Sequence, residues 1–292
     1  MVKRAQWSSW IALLLPALAA FSVPHDWPLW LFMWILSGAV FFALKAVTIS
    51  TANLSCAKPW RVWAYVFAWV GMNAPRFLSA DPLQPIQRPR AMNWLEGVWN
   101  TIAGATLFWG TQHFVGTSSQ ILLGWSGMIG TALMLHFGAF HIMSCAWRSV
   151  GIDAPPLMNH PTRSTSVGDF WSRRWNTAFR DVTHQFLFRP LAARLGVTKA
   201  LLLGFVFSGL IHELVITVPA NGGYGGPTAF FCLQGFAILF ERSPAGRRIG
   251  LGRGWPGWLF SAAVLLLPVR LLFPDAFVLR IAVPFMEALG AA

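Results

Sequence analysis

Charged residues are scarce in this chain of 292 residues: they make up 11% of it, while hydrophobic residues make up 55%. Soluble domains carry about 25% charged residues, so the composition excludes an ordinary soluble protein. Cysteine is also scarce, and the three thiols, an odd number set in or beside apolar stretches, exclude a framework of disulfides. The aspartates are few and scattered, so the sequence predicts no metal site.

The chain consists instead of long apolar runs separated by short polar breaks. They are longer and less alternating than the strands of about 10 residues in membrane barrels, and helices satisfy their own backbone hydrogen bonds in lipid. The predicted class is therefore all-α: a polytopic integral membrane protein with about eight transmembrane helices, plus re-entrant and amphipathic helices, around an intramembrane tunnel. A single membrane domain, residues 1–292, is predicted.

The predicted spans follow from the positions of these runs. A run at residues 60–72 is apolar but short, which is typical of a re-entrant helix. The first span follows Lys3 and Arg4 in the manner of a signal peptide, but we expect it to be retained. The eight predicted spans are residues 7–23, 27–44, 98–115, 121–147, 201–218, 227–240, 255–273 and 275–289.

The basic residues lie between the spans, and the formal net charge is +12. The positive-inside rule explains cations at such places, so nucleic acid is excluded as a partner and membrane lipids are expected contacts. We expect a multi-pass protein of a bacterial inner membrane or of the endoplasmic reticulum, with both termini and both large basic loops on the cytoplasmic side.

The run LLLGFVFSGLIHELVITV, residues 201–218, places His212 near the membrane midplane. Ionisable groups at this depth are costly and usually functional, although a hydrogen bond to a neighbouring helix is the simpler alternative. Glu213 lies about 100° around the helix from His212, which favours pairing with a cation on another helix. His136 and His141 are about 140° apart on their helix, so they are interpreted as core or tunnel-lining residues and not as a metal pair.

Residues 169–186, DFWSRRWNTAFRDVTHQF, predict one amphipathic helix on the cytoplasmic membrane face, capped by Ser166 or Asp169. A surface anchor whose cations meet lipid phosphates is an alternative role for it. Its apolar stripe has helical spacing and consists of Phe170, Trp171, Trp175, Ala178, Phe179, Val182 and Phe186.

Two motifs together, FWSRRWN ending at Asn176 and FSGLIHEL containing His212, resemble the wax-synthase-like branch of the membrane-bound O-acyltransferase (MBOAT) superfamily. The resemblance extends over about residues 93–242, taken as the core of the domain. In that superfamily an Asn or Asp at the end of an aromatic motif precedes an intramembrane His. The resemblance therefore implies a catalytic pair of Asn176 and His212, and transfer of an acyl group from acyl-CoA, or another acyl thioester, to the hydroxyl of a hydrophobic alcohol.

This reaction assigns roles to side chains. A hydroxyl is a poor nucleophile, so His212 is expected to take its proton as general base, and the amide of Asn176 to stabilise the oxyanion or orient the substrate. No bound cofactor is expected, and acyl-CoA is the co-substrate. Its phosphates require cations at the cytoplasmic side. The predicted substrate-binding residues are Arg173, Arg174, Arg180, Trp171, Trp175 and Glu213.

Two other functions fit the same features. A cationic entrance and an aromatic cavity also suit an MBOAT-like terpene cyclase or another enzyme that processes prenyl diphosphates, and products from farnesyl diphosphate would reveal it. A buried histidine can also relay protons in a proton-coupled transporter, for which uptake into vesicles without a covalent product is the test.

Overall fold

The computed structural model describes residues 7–24, 26–52, 54, 57–79, 85–115 and 119–292. Every regular element in these ranges is a helix, and none of the described residues forms a strand. The predicted all-α class is therefore confirmed. Lys3 and Arg4, which suggested a signal peptide, lie outside the described residues.

Four helices among the described residues are long and apolar enough to cross a membrane: Leu29–Ile49, Gln120–Ser149, Val197–Ala220 and Gly254–Leu272. Only 11% to 33% of their most apolar windows is buried inside the protein. Most of this apolar surface therefore faces outward, as lipid-facing helices require. The predicted class of polytopic membrane protein is confirmed, and the remaining predicted spans coincide with shorter or interrupted helices.

The chain divides into two compact units, the first formed by Met1–Leu157 and Ala282–Ala292. In the described part of this unit the helices are Trp7–Leu14 (3-10), Leu15–Ser22, Leu29–Ile49, Pro59–Phe67, Ala74–Leu78, Ala91–Gly110, Gln112–Val115, Gln120–Ala132, Leu133–Ala139 (π), Phe140–Ser149 and Val283–Ala288.

A buried lysine in this first unit supports the short segment that the sequence predicted to be re-entrant. The helix Pro59–Phe67 ends after nine residues, too few to cross a bilayer. Lys45 Nζ donates to the carbonyl oxygens of Tyr65 at 2.7 Å and Gly71 at 2.6 Å. The carbonyl of Tyr65 is in the last turn of the helix, where carbonyls have no helical partner, and that of Gly71 lies beyond its end. The amino group of Lys45 therefore satisfies two acceptors that would be costly to leave unpaired.

The span Gln120–Ser149 contains the two histidines interpreted as core residues. It packs tightly on the helix Ala91–Gly110, because a Cβ atom added at Gly104 would lie 2.6 Å from the carbonyl oxygen of Gly130. His136 lies in a π-helical stretch of this span, and its ring centroid is 5.4 Å from that of Phe140. An aromatic environment of this kind is typical of a packed histidine.

The second unit is Met158–Ile281. Its helices are Pro161–Arg163 (3-10), Val167–Asp169, Phe170–Arg174 (π), Thr177–Thr183, His184–Phe188 (π), Arg189–Leu195, Val197–His212, Glu213–Thr217 (π), Val218–Ala220, Gly226–Arg242, Pro244–Arg248, Gly254–Leu266, Val269–Leu272 and Asp275–Phe277, and Val278–Ala282 (π) follows at its boundary.

Two helices form the centre of this second unit: Val197–Ala220, called the histidine helix below, and Gly226–Arg242, called the glutamine helix. Their backbones approach closely, since a Cβ atom at Gly209 would lie 2.6 Å from the Cα atom of Thr228. Small residues permit such contacts between membrane helices. The contact fixes the position of His212 along the axis of the glutamine helix.

Candidate active site

His212 lies where the histidine helix changes from α-helical to π-helical hydrogen bonding, since Val197–His212 is α-helical and Glu213–Thr217 is π-helical. Its Nδ1 atom is 2.7 Å from the carbonyl oxygen of Ser208. A carbonyl only accepts hydrogen bonds, so Nδ1 carries the proton in the neutral ring. The Nε2 atom of the neutral imidazole is then the unprotonated nitrogen, able to accept a proton.

Two aromatic rings contact the imidazole of His212. The ring of Phe231, on the glutamine helix, has its centroid 4.4 Å away. The ring of Phe179 lies edge-on with its centroid 6.3 Å away. Together with the bond to Ser208, these contacts restrict the rotation of the imidazole.

Asn176 interrupts the segment that the sequence predicted to be one amphipathic helix. The predicted helix over residues 169–186 is wrong in its continuity: a π-helical stretch, Phe170–Arg174, is followed by a new helix, Thr177–Thr183. Asn176 adopts a left-handed backbone conformation with φ 41°, which Asn tolerates better than most residues. Its Oδ1 atom accepts from the backbone N–H of Phe179 at 3.2 Å and so caps the second helix. Periodicity could not reveal this break, because the aromatic stripe continues across it.

The beginning of the segment agrees with the sequence analysis. Ser166 Oγ accepts from the backbone N–H of Asp169 at 2.8 Å, so the serine is the cap. The ring of Phe170 then stacks on that of Trp175 with 5.5 Å between centroids. This stack folds the aromatic motif, residues 170–176, back on itself ahead of Asn176.

The side chain of Trp171 points into the second unit and packs on both central helices. Its ring centroid is 5.4 Å from that of Phe231 and 6.1 Å from that of Phe205. Its Nε1–H donates to Oε1 of Gln234 at 3.3 Å. Trp171 therefore joins the aromatic motif to the hydrophobic cluster formed by Val167, Ala237, Ile238, Leu201, Phe205, Phe260 and Val264.

The two predicted catalytic residues are connected through shared neighbours. Asn176 caps the helix whose Phe179 ring contacts His212. On the other side, Trp171 from the same motif contacts Phe231, which also contacts His212. The structure therefore brings the motif that ends at Asn176 and the histidine into one aromatic cluster, although many residues separate them in the sequence.

Glu213 has partners other than the cation expected from the sequence. Its carboxylate accepts from the hydroxyl of Thr217 at 2.6 Å, and from the backbone N–H and the hydroxyl of Thr228 at 3.1 and 3.0 Å. Thr228 lies in the first turn of the glutamine helix, where N–H groups lack helical partners and favour negative charge. The contacts of Glu213 thus hold the histidine helix to the start of the next helix.

A second carboxylate holds the aromatic motif in place, and the sequence analysis did not identify it. Glu241, which is 5% exposed, accepts from the backbone N–H groups of Val167 and Gly168 at 2.8 and 2.9 Å. In the sequence, the position of Glu241 at the end of an apolar run was the feature that could have indicated this role. Gln234 was also missed, although a lone amide within the run of residues 227–240 was a signal too. Phe231 carried no signal, because it does not differ from its apolar neighbours.

The three predicted phosphate-binding cations have different surroundings. Arg174 donates to Asp169 Oδ2 and, at 3.2 Å, to the carbonyl oxygen of His160, so its guanidinium is engaged within the protein. Arg180 lies 3.0 Å from a carboxylate oxygen of Asp181. Arg173 is exposed. Of the three, it is the side chain most accessible to a ligand from solution.

His184 lies near the end of the segment of residues 169–186, outside the helices long enough to span a membrane. Although the residue is exposed, loss of hydration around its ring lowers its pKa below the usual value for histidine, and the positive charges of Arg189 and Arg180 lower the pKa further. Its ring stacks on that of Phe188 with 5.5 Å between centroids. The neutral form of this imidazole is therefore favoured next to the basic segment.

Part of the chain is similar to a known family. Residues 154–233 match the membrane bound O-acyl transferase family. This range contains the aromatic motif, His212, Glu213 and Phe231, and it lies within the core predicted at about residues 93–242. The predicted resemblance to this superfamily is confirmed.

Individual relatives place the similarity in one branch. Probable long-chain-alcohol O-fatty-acyltransferase 3 of Arabidopsis thaliana is 27% identical over 192 residues, which cover 56% of this chain and 52% of the relative. Long-chain-alcohol O-fatty-acyltransferase of Simmondsia chinensis is 32% identical over 138 residues, which cover 44% and 37%. The wax-synthase-like resemblance is thereby confirmed, although the chain spans only about half or less of the length of these relatives.

Proposed function

We propose that this protein is a membrane O-acyltransferase that moves a fatty acyl group from acyl-CoA, or another acyl thioester, to the hydroxyl of a long-chain alcohol. The acceptor class follows the printed names of its relatives. The geometry of His212 carries the proposal: Nδ1 is held by the carbonyl of Ser208, so Nε2 is the nitrogen able to remove a proton.

The reaction transfers the acyl group from the sulfur of the thioester to the oxygen of the alcohol. Nε2 of His212 takes the proton of the alcohol as its oxygen attacks the thioester carbonyl carbon. The C–O bond forms, the tetrahedral intermediate collapses, and the C–S bond breaks. The leaving thiolate recovers the proton from the imidazolium, so the ester and the free thiol are the products and His212 returns to its neutral form.

Asn176 is proposed to donate to the oxyanion of the intermediate. Its Oδ1 atom is occupied by the N–H of Phe179, which leaves the Nδ2 amide group as the donor end of the side chain. Removing one such donor lowers kcat by about 10²–10³ in a well-studied protease. Arg173 is proposed to bind the phosphates of coenzyme A, because it is the exposed member of the three cations.

The test is ester formation by purified protein in detergent, with acyl-CoA and a series of long-chain alcohols, followed by mass spectrometry. We expect His212→Ala to abolish the ester, while His113→Ala, a change at an exposed histidine of the first unit, leaves it unchanged. Full activity in His212→Ala would overturn the proposal.

Asn176→Asp separates the two roles of that residue. Aspartate still caps the helix through a carboxylate oxygen but has no amide to donate. If Asn176 is the oxyanion donor, the variant folds normally and kcat falls about 100-fold. Unchanged kcat would show that Asn176 acts only as the cap.

A further inference from the structure

The side chain of Gln234 is a completely enclosed polar group near the candidate site. It is 0% exposed and uses both ends of its amide. Oε1 accepts from the indole N–H of Trp171 at 3.3 Å, and Nε2 donates to the carbonyl oxygen of Val264 at 3.0 Å. One side chain therefore joins the aromatic motif, the glutamine helix and the span Gly254–Leu272.

This amide lies one contact away from the imidazole. The indole that Gln234 holds has its ring centroid 5.4 Å from that of Phe231, and the Phe231 ring lies 4.4 Å from that of His212. Gln234 and Phe231 are on the same helix, three residues apart, and so project from the same side of it. The position of the indole thus determines where Phe231 can lie, and Phe231 determines the orientation of the imidazole.

We propose that Gln234 is a positioning residue for acyl transfer: it fixes Trp171, and through Trp171 and Phe231 it holds the His212 ring in its reactive orientation. The inference rests on the proposed function. A leucine or methionine fills the same space in an apolar core, so packing alone does not require an amide here. An amide with both ends paired gives a fixed direction that apolar contacts do not give.

The test compares kcat and KM in three variants measured per mole of folded protein. Gln234→Leu removes both hydrogen bonds, and Trp171→Phe removes the indole N–H without changing Gln234. We expect kcat to fall about tenfold in Gln234→Leu, which corresponds to about 1.4 kcal/mol of lost transition-state stabilisation, with KM for the thioester unchanged. The double variant should be no slower than Gln234→Leu, because both changes break the same link.

Ser261→Ala is the matched control. Its hydroxyl is buried and donates to the carbonyl oxygen of Gly257 at 2.8 Å on the same span as Val264. This control also loses a buried hydrogen bond, but one that involves neither Trp171 nor Gln234, so we expect its kcat to be unchanged. A similar loss in Ser261→Ala would show that general destabilisation explains the effect, and would overturn the inference.

The outcomes distinguish this inference from the proposed function. If the unmodified protein forms no ester, the proposed function fails. If it forms ester and His212→Ala does not, but Gln234→Leu keeps its kcat, only the positioning role is overturned. Should Gln234→Leu fail to fold, Trp171→Phe alone decides, because it breaks the bond from the other side; an unchanged kcat in that variant counts against the inference.

Discussion

Replacement of Thr228 by valine tests how the two central helices are held together. Valine has nearly the shape of threonine but lacks the hydroxyl that donates to Glu213 at 3.0 Å. The carboxylate keeps the donors from Thr217 and from the backbone N–H of residue 228. Hydrogen bonds to charged groups contribute about 1.5–3 kcal/mol, and the lower end applies here because Glu213 is only partly buried.

A loss of about 1.5 kcal/mol corresponds to a fall in Tm of about 3–6 °C, at about 2–4 °C per kcal/mol for a chain of this size. The assay uses Cys232, a free thiol one turn along the same helix, in a background whose other cysteines are replaced. A thiol-reactive dye then reports thermal opening of this helix in detergent.

Thr228→Ser is the control, since serine keeps both the hydroxyl and the backbone N–H. We expect it to unfold within about 2 °C of the unmodified protein, because the lost methyl group is only partly buried and contributes about 0.4 kcal/mol. Equal unfolding temperatures for the valine and serine variants would refute the reasoning that the carboxylate of Glu213 binds the two helices through this hydroxyl.

Two further predictions concern the aromatic motif and its cations. Gly168→Ala should reduce ester formation and lower Tm, because the new Cβ atom would lie 2.9 Å from Oε1 of Glu241 and displace the carboxylate from the start of the motif. The rate of ester formation and the Tm are measured on the same variant, and full activity with an unchanged Tm would contradict this prediction. His184 should titrate below the usual histidine pKa of about 6.5, and Arg180→Gln should raise this pKa by removing one of the charges that lower it. The pH dependence of the modification of His184 by diethylpyrocarbonate measures the pKa in both proteins, and a pKa that does not change in Arg180→Gln would contradict the charge effect.

Several features of the site were predictable because they depend on neighbours in the sequence. A histidine within an apolar run of residues 201–218 implies a buried imidazole whatever the other helices do. The cap at Ser166 follows from a serine placed before a helical segment. The resemblance of the two motifs depended only on residue types and their order.

Other features were not predictable, because they depend on residues distant in the chain. The partner of Glu213 was expected to be a cation, yet hydroxyl and N–H donors at the start of the following helix occupy its carboxylate. The break at Asn176 leaves the apolar stripe unchanged, so a periodicity of 3.6 residues continues across it and conceals the left-handed residue.

The sequence by itself determined that this protein is helical, lies in a membrane and carries two motifs that resemble those of membrane-bound O-acyltransferases, because solvation of apolar runs and the order of residues are local properties. Only the tertiary structure decided which side chains surround the imidazole. Phe231 contacts His212, and Gln234 contacts Trp171, because a close contact at Gly209 sets the positions of two helices along each other. Phe179 contacts His212 from a third helix, which begins after the break at Asn176. The relative position of the two helices arises from packing between segments, and the order of residues alone does not specify that packing.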